Sequence, residues 1–249
     1  MARYRASLAY DGSAYQGFQR QAGDAPTVQG AVEQALARLA GQPVSVTAAG
    51  RTDTGVHATG QVIAFDLEWR HSDAALLNAI NAHLPDDIAL QEIRQHPGFH
   101  PRYDAISRCY RYTVIAAPQP QPLQRQRAWR VNTPLDVAAL NAAAQVILGE
   151  HDFATFGQAP RGENTVRTVF TSAWTADVQP YGWRYEYVVE ANAFLYHMVR
   201  RLVGMQVEVG RGRMTVADMQ GALARQDVSL ARVLAPPQGL VLECVRYRE

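Results

Sequence analysis

"VSVTAAGRTDTGVHATGQVIAFDLE", residues 44–68, reads as strand, tight turn, strand. "VSVTAA" (44–49) is a short β-branched run, and "QVIAFDLE" (61–68) alternates apolar and polar residues as a half-buried strand does. Between them Gly50 and Gly55 bracket Arg51-Thr52-Asp53-Thr54, so the backbone is able to turn sharply on both sides. A loop after a strand is where functional side chains gather. Asp53 is therefore a candidate catalytic carboxylate, with Arg51 two residues before it and His57 four after. The same spacing also suits an Asx-turn, in which the aspartate bonds its own backbone. Spacing alone leaves both readings open.

Asp53-Thr54-Gly55 spells the triplet of the aspartic proteases, but the chemistry of that class does not fit. It needs two carboxylates sharing one proton, because two like charges so close do not both ionise. The chain holds one such triplet and no Asp-Ser-Gly. Arginine near Asp53 keeps a carboxylate ionised, and the protease architecture is all-β, whereas several helices are predicted here.

Outward from this stretch the first half reads β-α-β-β-α-β. "RYRASLAY" (3–10) is a strand. A helix follows over 28–40, entered through Pro26-Thr27 and closed by Gly41. Ser72-Asp73 opens a second helix that Pro85 stops, and 87–95 is a strand. The second half repeats the order. "SRCYRYTVIA" (107–116) is a strand, and a loop rich in Pro, Gln and Arg follows it. Thr133-Pro134 supplies a cap and a first helical residue for a helix that ends at Gly149. Strands at 166–178 and 183–191 are joined by Pro-Tyr-Gly, and helices are predicted at 194–208 and 216–225. "LVLECVRY" closes the chain as a strand. The predicted fold is α+β: two tandem split-βαβ units, each an antiparallel sheet with helices on one face, and an active-site cleft between them. The domains would be 1–106, carrying the Asp53 loop, and 107–249. Such folds often bind RNA, but the aromatic signature of the RNA-recognition fold is missing.

Composition fits a globular protein of 249 residues, 47% hydrophobic and 19% charged. No apolar run approaches the ~20 residues of a membrane span, and "MARYRASLAYDG" has no apolar signal core. Cys109 and Cys244 form no Cys-x-x-Cys and are read as reduced thiols of a cytoplasmic protein. All 24 basic residues are arginine. Codon bias is one reading of that, and whichever holds, the consequence stands: Schiff-base and Walker-type phosphate chemistry, which need lysine, are excluded. With a net charge of only +1, nucleic-acid binding would need a local arginine-lined cleft. No metal site is expected, because Pro97 and Gly98 break the His96–His100 spacing and no Cys/His cluster exists. Ser-His-Asp catalysis has no Gly-x-Ser-x-Gly to support it.

"FHPRYDAISRCYRYTV" (99–114) mixes aromatics with Arg102, Arg108 and Arg111. On a strand Arg108, Tyr110 and Tyr112 share one face. Tyrosine beside guanidinium suits stacking an unpaired base while holding phosphate; it equally suits a half-buried sheet face. In "ANAFLYHMVRRLVG" (191–204) the core stripe is Leu195, Met198, Val199 and Leu202, and Arg200 has more apolar neighbours than Arg201. A shielded arginine calls for a carboxylate partner, and Asp53 is the candidate.

Taken together, "YDGSAYQGFQ", "TVQGAVEQAL", "GRTDTGVHATGQV", "NAHLPDDIAL", "FHPRYDAISRCYRY", "GEHDFATF", "ANAFLYHMVRRLVG" and "APPQGLVLECVRY" resemble, in order and spacing, the TruA family of tRNA pseudouridine synthases, over about residues 7–247. The resemblance implies isomerisation of uridine to pseudouridine at positions 38 to 40 of the tRNA anticodon stem-loop, with no cofactor and no metal, by a homodimer. It implies that Asp53 is the nucleophile, Arg200 its partner, Tyr110 the ring on the target base and Arg51 the group that holds the flipped nucleotide's place. His57, Arg102 and Arg108 are expected RNA contacts. The reading set against it is a non-catalytic tRNA- or RNA-binding module. The chain departs from the family in using no lysine and in having Tyr196-His197 before Met-Val-Arg.

Overall fold

A computed structural model describes residues 1–159 and 162–248. The chain is α+β and divides into two compact units, Met1–Ile106 joined by the chain from Val241 onward, and Ser107–Leu240. No helix among the described residues is long and apolar enough to cross a membrane.

The first unit runs β1 (Ala2–Tyr10), α1 (Val28–Ala40), β2 (Thr47–Ala48), β3 (His57–Leu67), α2 (Asp73–Asn81) and β4 (Ile88–Gln95). β1 buries Tyr4, Ala6, Leu8 and Tyr10, the even positions of a strand with one face in the core. It pairs antiparallel with β3 on one side and β4 on the other. α1 begins where the sequence predicts: the Thr27 hydroxyl accepts the Gly30 N–H at 3.2 Å. It ends on Gly41 at φ 68°, a left-handed cap that glycine adopts without strain. The strand expected over 44–49 shrinks to β2. Side chains of α1 take the Val46 backbone instead: Glu33 Oε1 accepts its N–H at 3.0 Å, and Gln29 Nε2 donates to its carbonyl at 3.2 Å.

The second unit holds β5 (Ala105–Ala116), β6 (Trp129–Val131), α3 (Val137–Gln145), β7 (Gly149–Asp152), β8 (Val166–Gln179), β9 (Gly182–Ala191), α4 (Met198–Gly210) and α5 (Val216–Arg225). Its sheet runs β5-β9-β8-β7, antiparallel throughout that path. The short strands β6 and β7 lay outside the sequence reading. α3 starts later than Thr133-Pro134 suggests. Tyr185 Oη accepts the Leu135 N–H at 3.0 Å, and Asp136 caps the helix through the N–H groups of Ala138 and Ala139. α4 likewise starts at Met198, not 194. Tyr196 is drawn into a bridge with Gln158, and His197 turns left-handed at φ 64°. From there α4 is buried on almost every side, Arg201 being its only partly exposed position.

Two expectations are corrected. The closing strand β10 (Leu240–Tyr247) runs beside β3, with Val241 opposite His57 and Leu242 opposite Ala58, and from Val241 onward the chain groups with the first unit. The 107–249 domain therefore loses its last strand to 1–106. Nor are the sheets purely antiparallel: β3–β10 and β5–β6 pair parallel. A parallel neighbour requires a long crossover, and for β10 the whole second unit is that crossover. The Tyr247 hydroxyl donates to the Pro101 carbonyl at 2.8 Å, and the Arg5 guanidinium lies 4.3 Å from the Tyr247 ring centroid.

The approach of β10 is close at Gly60, where a Cβ would collide with the Glu243 carbonyl oxygen. Gly60→Ala is expected to lower unfolding free energy by about 1–3 kcal/mol, as overpacking does. Urea denaturation of wild type and variant reads it.

Candidate active site

The loop from Ala49 to Val56 joins β2 to β3 and is fastened at nearly every residue. The Ala49 N–H donates to the Val62 carbonyl at 2.8 Å, and fully buried Gln61 donates from Nε2 to the Gly50 carbonyl at 2.9 Å. Thr52 points inward, 6% exposed, with its hydroxyl 2.8 Å from the Tyr10 hydroxyl. Its neighbours lie outward: Arg51 is exposed and Asp53 part-exposed. The Asp53 carbonyl accepts the Val56 N–H at 3.1 Å, and Gly55 sits at φ 76°. This is a type II turn, whose third residue needs positive φ.

A second segment, Asp11–Phe18, supports this loop from outside it. Phe18 N–H donates to the Thr52 carbonyl at 3.0 Å. Gly17, at φ +89°, brings its α-carbon so near that a Cβ would stand 3.0 Å from the Thr52 oxygen. A Cβ on Gly12 would collide with the Val56 carbonyl. The Gly12 N–H donates to His57 Nδ1 at 3.1 Å, and an Asp11 carboxylate oxygen stands 3.1 Å from the same nitrogen. Nδ1 thus meets a backbone donor and a carboxylate at once. Nε2 is buried with no partner among the described residues. His57 is 5% exposed and stands inside the loop's support.

Tyr10, Gly12, Gly17, Thr52 and Gln61 were missed as site residues. "YDGSAYQGFQ" carried the signal, because two glycines there with no helix or strand between them imply close backbone contact. Burial pushes the Tyr10 hydroxyl up to about 12, offset in part by hydrogen bonds with Thr52 and Gln61.

The remaining candidates lie in other places. Arg102 belongs to the first unit, where its N–H donates to His100 Nδ1 at 3.2 Å. Arg108, Tyr110 and Arg200 belong to the second. Arg108 is 8% exposed and donates from Nη1 to the Asn192 carbonyl at 2.9 Å. Tyr110 is also 8% exposed and meets Phe194 edge-on, centroids 5.1 Å apart. So the Arg108–Tyr110 face of β5 is closed by Asn192–Phe194, the segment after β9. Arg200 is 9% exposed, the more shielded of the arginine pair. Its Nε donates to the Ala235 carbonyl at 2.8 Å, and its own carbonyl accepts the Ala235 N–H at 3.1 Å. Beside it the buried Tyr112 hydroxyl donates to the Pro236 carbonyl at 2.7 Å; burial raises that hydroxyl's pKa and the Arg200 charge opposes the rise. Among the described residues no group of three His, Cys, Asp or Glu side chains is arranged to hold a metal ion.

What this arrangement offers chemically is a carboxylate on a rigid loop, reachable from solvent, with a permanent cation two residues away. A carboxylate so held suits nucleophilic attack on an electrophilic carbon.

The sequence model of a family described as tRNA pseudouridine synthase matches residues 6–104 and 143–248. Asp53, Arg51, His57, Arg102 and Arg200 fall within the matched stretches; Arg108 and Tyr110 fall between them. A tRNA pseudouridine synthase A of Neisseria gonorrhoeae is 42% identical over 247 residues, covering 98% of this chain and 92% of its own. That of Chloroflexus aurantiacus is 45% identical over 246 residues, covering 96% and 87%. That of Bartonella henselae is 40% identical over 252 residues, covering 99% and 100%.

Two outcomes test the loop's support. His57→Leu leaves the buried Gly12 N–H without an acceptor and is expected to cost about 1–3 kcal/mol. His57→Asn, whose side-chain oxygen reaches the Nδ1 position, is expected to recover most of it in the same denaturant titration. The Tyr10 shift gives a pH signature. Its ordinary value is 10.0 and its folded value about 12, so the unfolded chain gives up the proton first. That contribution to stability is whole below pH 10 and is lost as pH rises towards 12. The denaturation midpoint should fall across that range, and fall less in Tyr10→Phe.

Proposed function

Because the chain belongs to the tRNA pseudouridine synthase family, we propose that Asp53 is its nucleophile and that its targets are uridines 38 to 40 of the anticodon stem-loop. The chain is a tRNA-uridine isomerase. The observation that carries the finer reading is that the family match spans the Asp53 loop, whose backbone is held by the Asp11–Phe18 segment and by Gln61.

In this reading the ionised Asp53 carboxylate adds to C6 of uracil or to C1′ of ribose, and the N1–C1′ bond breaks. The base turns and C5 bonds to C1′, displacing Asp53 if it is held there; the proton on C5 is lost to solvent and N1 gains one. An adduct at C6 expels Asp53 after that, so by either route the carboxylate acts without net change. Attack requires the charged carboxylate, and a guanidinium partner favours that form. Arg200 takes this role by resemblance, supported by a burial that suits a charge-paired group. Tyr110 stacks on the flipped uracil and Arg51, exposed beside Asp53, holds the vacated place in the stem. Arg102 contacts RNA. Arg108 contacts RNA as well, and its Nη1 holds the Asn192 carbonyl. Assembly as a homodimer and residence in the cytoplasm belong to the same reading, and the chemistry calls on no cofactor.

The test is tritium release from a tRNA transcript carrying uridine tritiated at C5. Wild type is expected to release tritium, and Asp53→Asn to do so at least roughly a thousandfold more slowly while still binding tRNA. Comparable release by the variant would remove Asp53 from the nucleophile's role. No release by wild type from several tRNAs would leave a binding protein.

A further inference from the structure

The Asp11–Phe18 segment holds the Asp53 loop, and the segment is in turn held from elsewhere in the first unit. The Asp11 N–H donates to the Asp87 carbonyl at 2.9 Å. At the other end the Gln16 N–H donates to the Pro26 carbonyl at 2.8 Å, and the Phe18 carbonyl accepts the Gln29 N–H at 2.9 Å, in the first turn of α1. Between these points stands Tyr15, whose side chain reaches the turn between α2 and β4. Its hydroxyl donates to Asp87 Oδ1 at 2.6 Å. Asp87 therefore takes the segment twice, once by its backbone and once by its carboxylate.

Both sides of that contact are firm. The Ile88 N–H donates to the Pro85 carbonyl at 3.0 Å, and the Asn81 side chain at the end of α2 exchanges two hydrogen bonds with the Leu90 backbone, at 2.9 and 2.8 Å. Tyr15 is buried, and its N–H donates to the Gly12 carbonyl at 3.0 Å. Its own carbonyl accepts the Gly55 N–H at 3.4 Å. Gly55 is the left-handed residue of the turn that Asp53 opens. A single residue thus joins Asp87 to the backbone of the Asp53 turn, by its hydroxyl at one end and its carbonyl at the other.

A hydroxyl donating to a carboxylate makes a short, charge-assisted bond, stronger than one between neutral groups. Burial, and after it the Asp87 and Asp11 carboxylates, hold the Tyr15 hydroxyl's pKa well above its ordinary value, so it stays a donor in neutral solution. The ring alone would fill the space; the hydroxyl is what ties the segment to Asp87. We infer that Tyr15 is a positioning residue for the reaction: anchored on Asp87, it fixes where the Asp53 turn stands and so how the Asp53 carboxylate approaches the carbon it attacks. The inference rests on Asp53 being the nucleophile, as proposed above. A misplacement of about 1 Å costs up to roughly a hundredfold in rate without any loss of a reacting group.

Tyr15→Phe tests it, because it keeps the ring and removes the hydrogen bond. Tritium release gives kcat and KM, and urea denaturation establishes that each variant is folded under the assay conditions. Tyr15→Phe is expected to lower kcat roughly tenfold and to leave KM within about twofold. Asp87→Ala should do the same, whereas Asp87→Asn, which keeps an Oδ1 acceptor for the hydroxyl, should retain most of kcat. The double variant Tyr15→Phe/Asp87→Ala should be no slower than Asp87→Ala alone, since both changes remove one and the same bond. A merely structural role would lower stability and leave the kcat of the folded variants intact, and that result overturns the inference. So does a loss that falls on KM, or effects that multiply in the double variant. Asp53→Asn runs beside them. Tritium release by Asp53→Asn at the wild-type rate would bring down the nucleophile reading and this inference with it; an inactive Asp53→Asn beside an unimpaired Tyr15→Phe would bring down this inference alone.

Discussion

The hydrogen bond from the Gly12 N–H to His57 Nδ1 joins chain segments 45 residues apart, and the geometry of the Asp53 loop depends on it. It draws the segment after β1 beneath the turn before β3 so closely that Gly12 has no room for a Cβ. Once the two are together, Phe18 bonds Thr52, Gly17 packs on the Thr52 carbonyl and the Tyr10 hydroxyl meets the Thr52 hydroxyl. Each of these contacts holds backbone or an inward side chain. Arg51 and Asp53 are thereby left outward on a loop with little freedom of its own. Such a carboxylate meets its substrate without first paying to order its loop.

The second unit solves a different problem with the same means. Arg200 sits on a helix buried almost all round, where a charge is costly unless its hydrogens are met. The Ala235 peptide answers part of that need from both sides, accepting from the side chain and donating to the backbone carbonyl. Beneath α4 a polar chain is likewise satisfied: Trp174 Nε1 donates to Gln206, Gln206 to the Tyr187 hydroxyl, and that hydroxyl meets Ser172 at 2.7 Å. A buried network with its members paired fixes the register of helix on sheet more sharply than apolar packing does.

Local signals were legible in residues. Thr27 and Gly41 gave both ends of α1, since a cap and a left-handed glycine act within one turn. The Pro-Tyr-Gly turn marked β8 and β9 as joined neighbours. The greater shielding of Arg200 over Arg201 followed from its neighbours one turn away. The misreadings share one physical cause: backbone groups that local pattern assigned to a helix or strand were taken by distant partners. Glu33 and Gln29 took Val46 from β2, Tyr185 took Leu135 from the start of α3, and Gln158 took Tyr196 from α4. The burial of His57 against Asp11 and Gly12 is likewise something that spacing does not reveal.

By itself the sequence determined the α+β class, the Asp53 turn between its glycines, the cationic chemistry limited to guanidinium and the likeness to tRNA pseudouridine synthases. These are written in residue type and near spacing. Only the tertiary structure decided that the last strand belongs beside β3, that His57 and Gly17 brace the Asp53 loop and that Phe194 closes on Tyr110. Those pairings join positions far apart in the chain, and their selection rests on which backbone groups find partners when both segments are desolvated together.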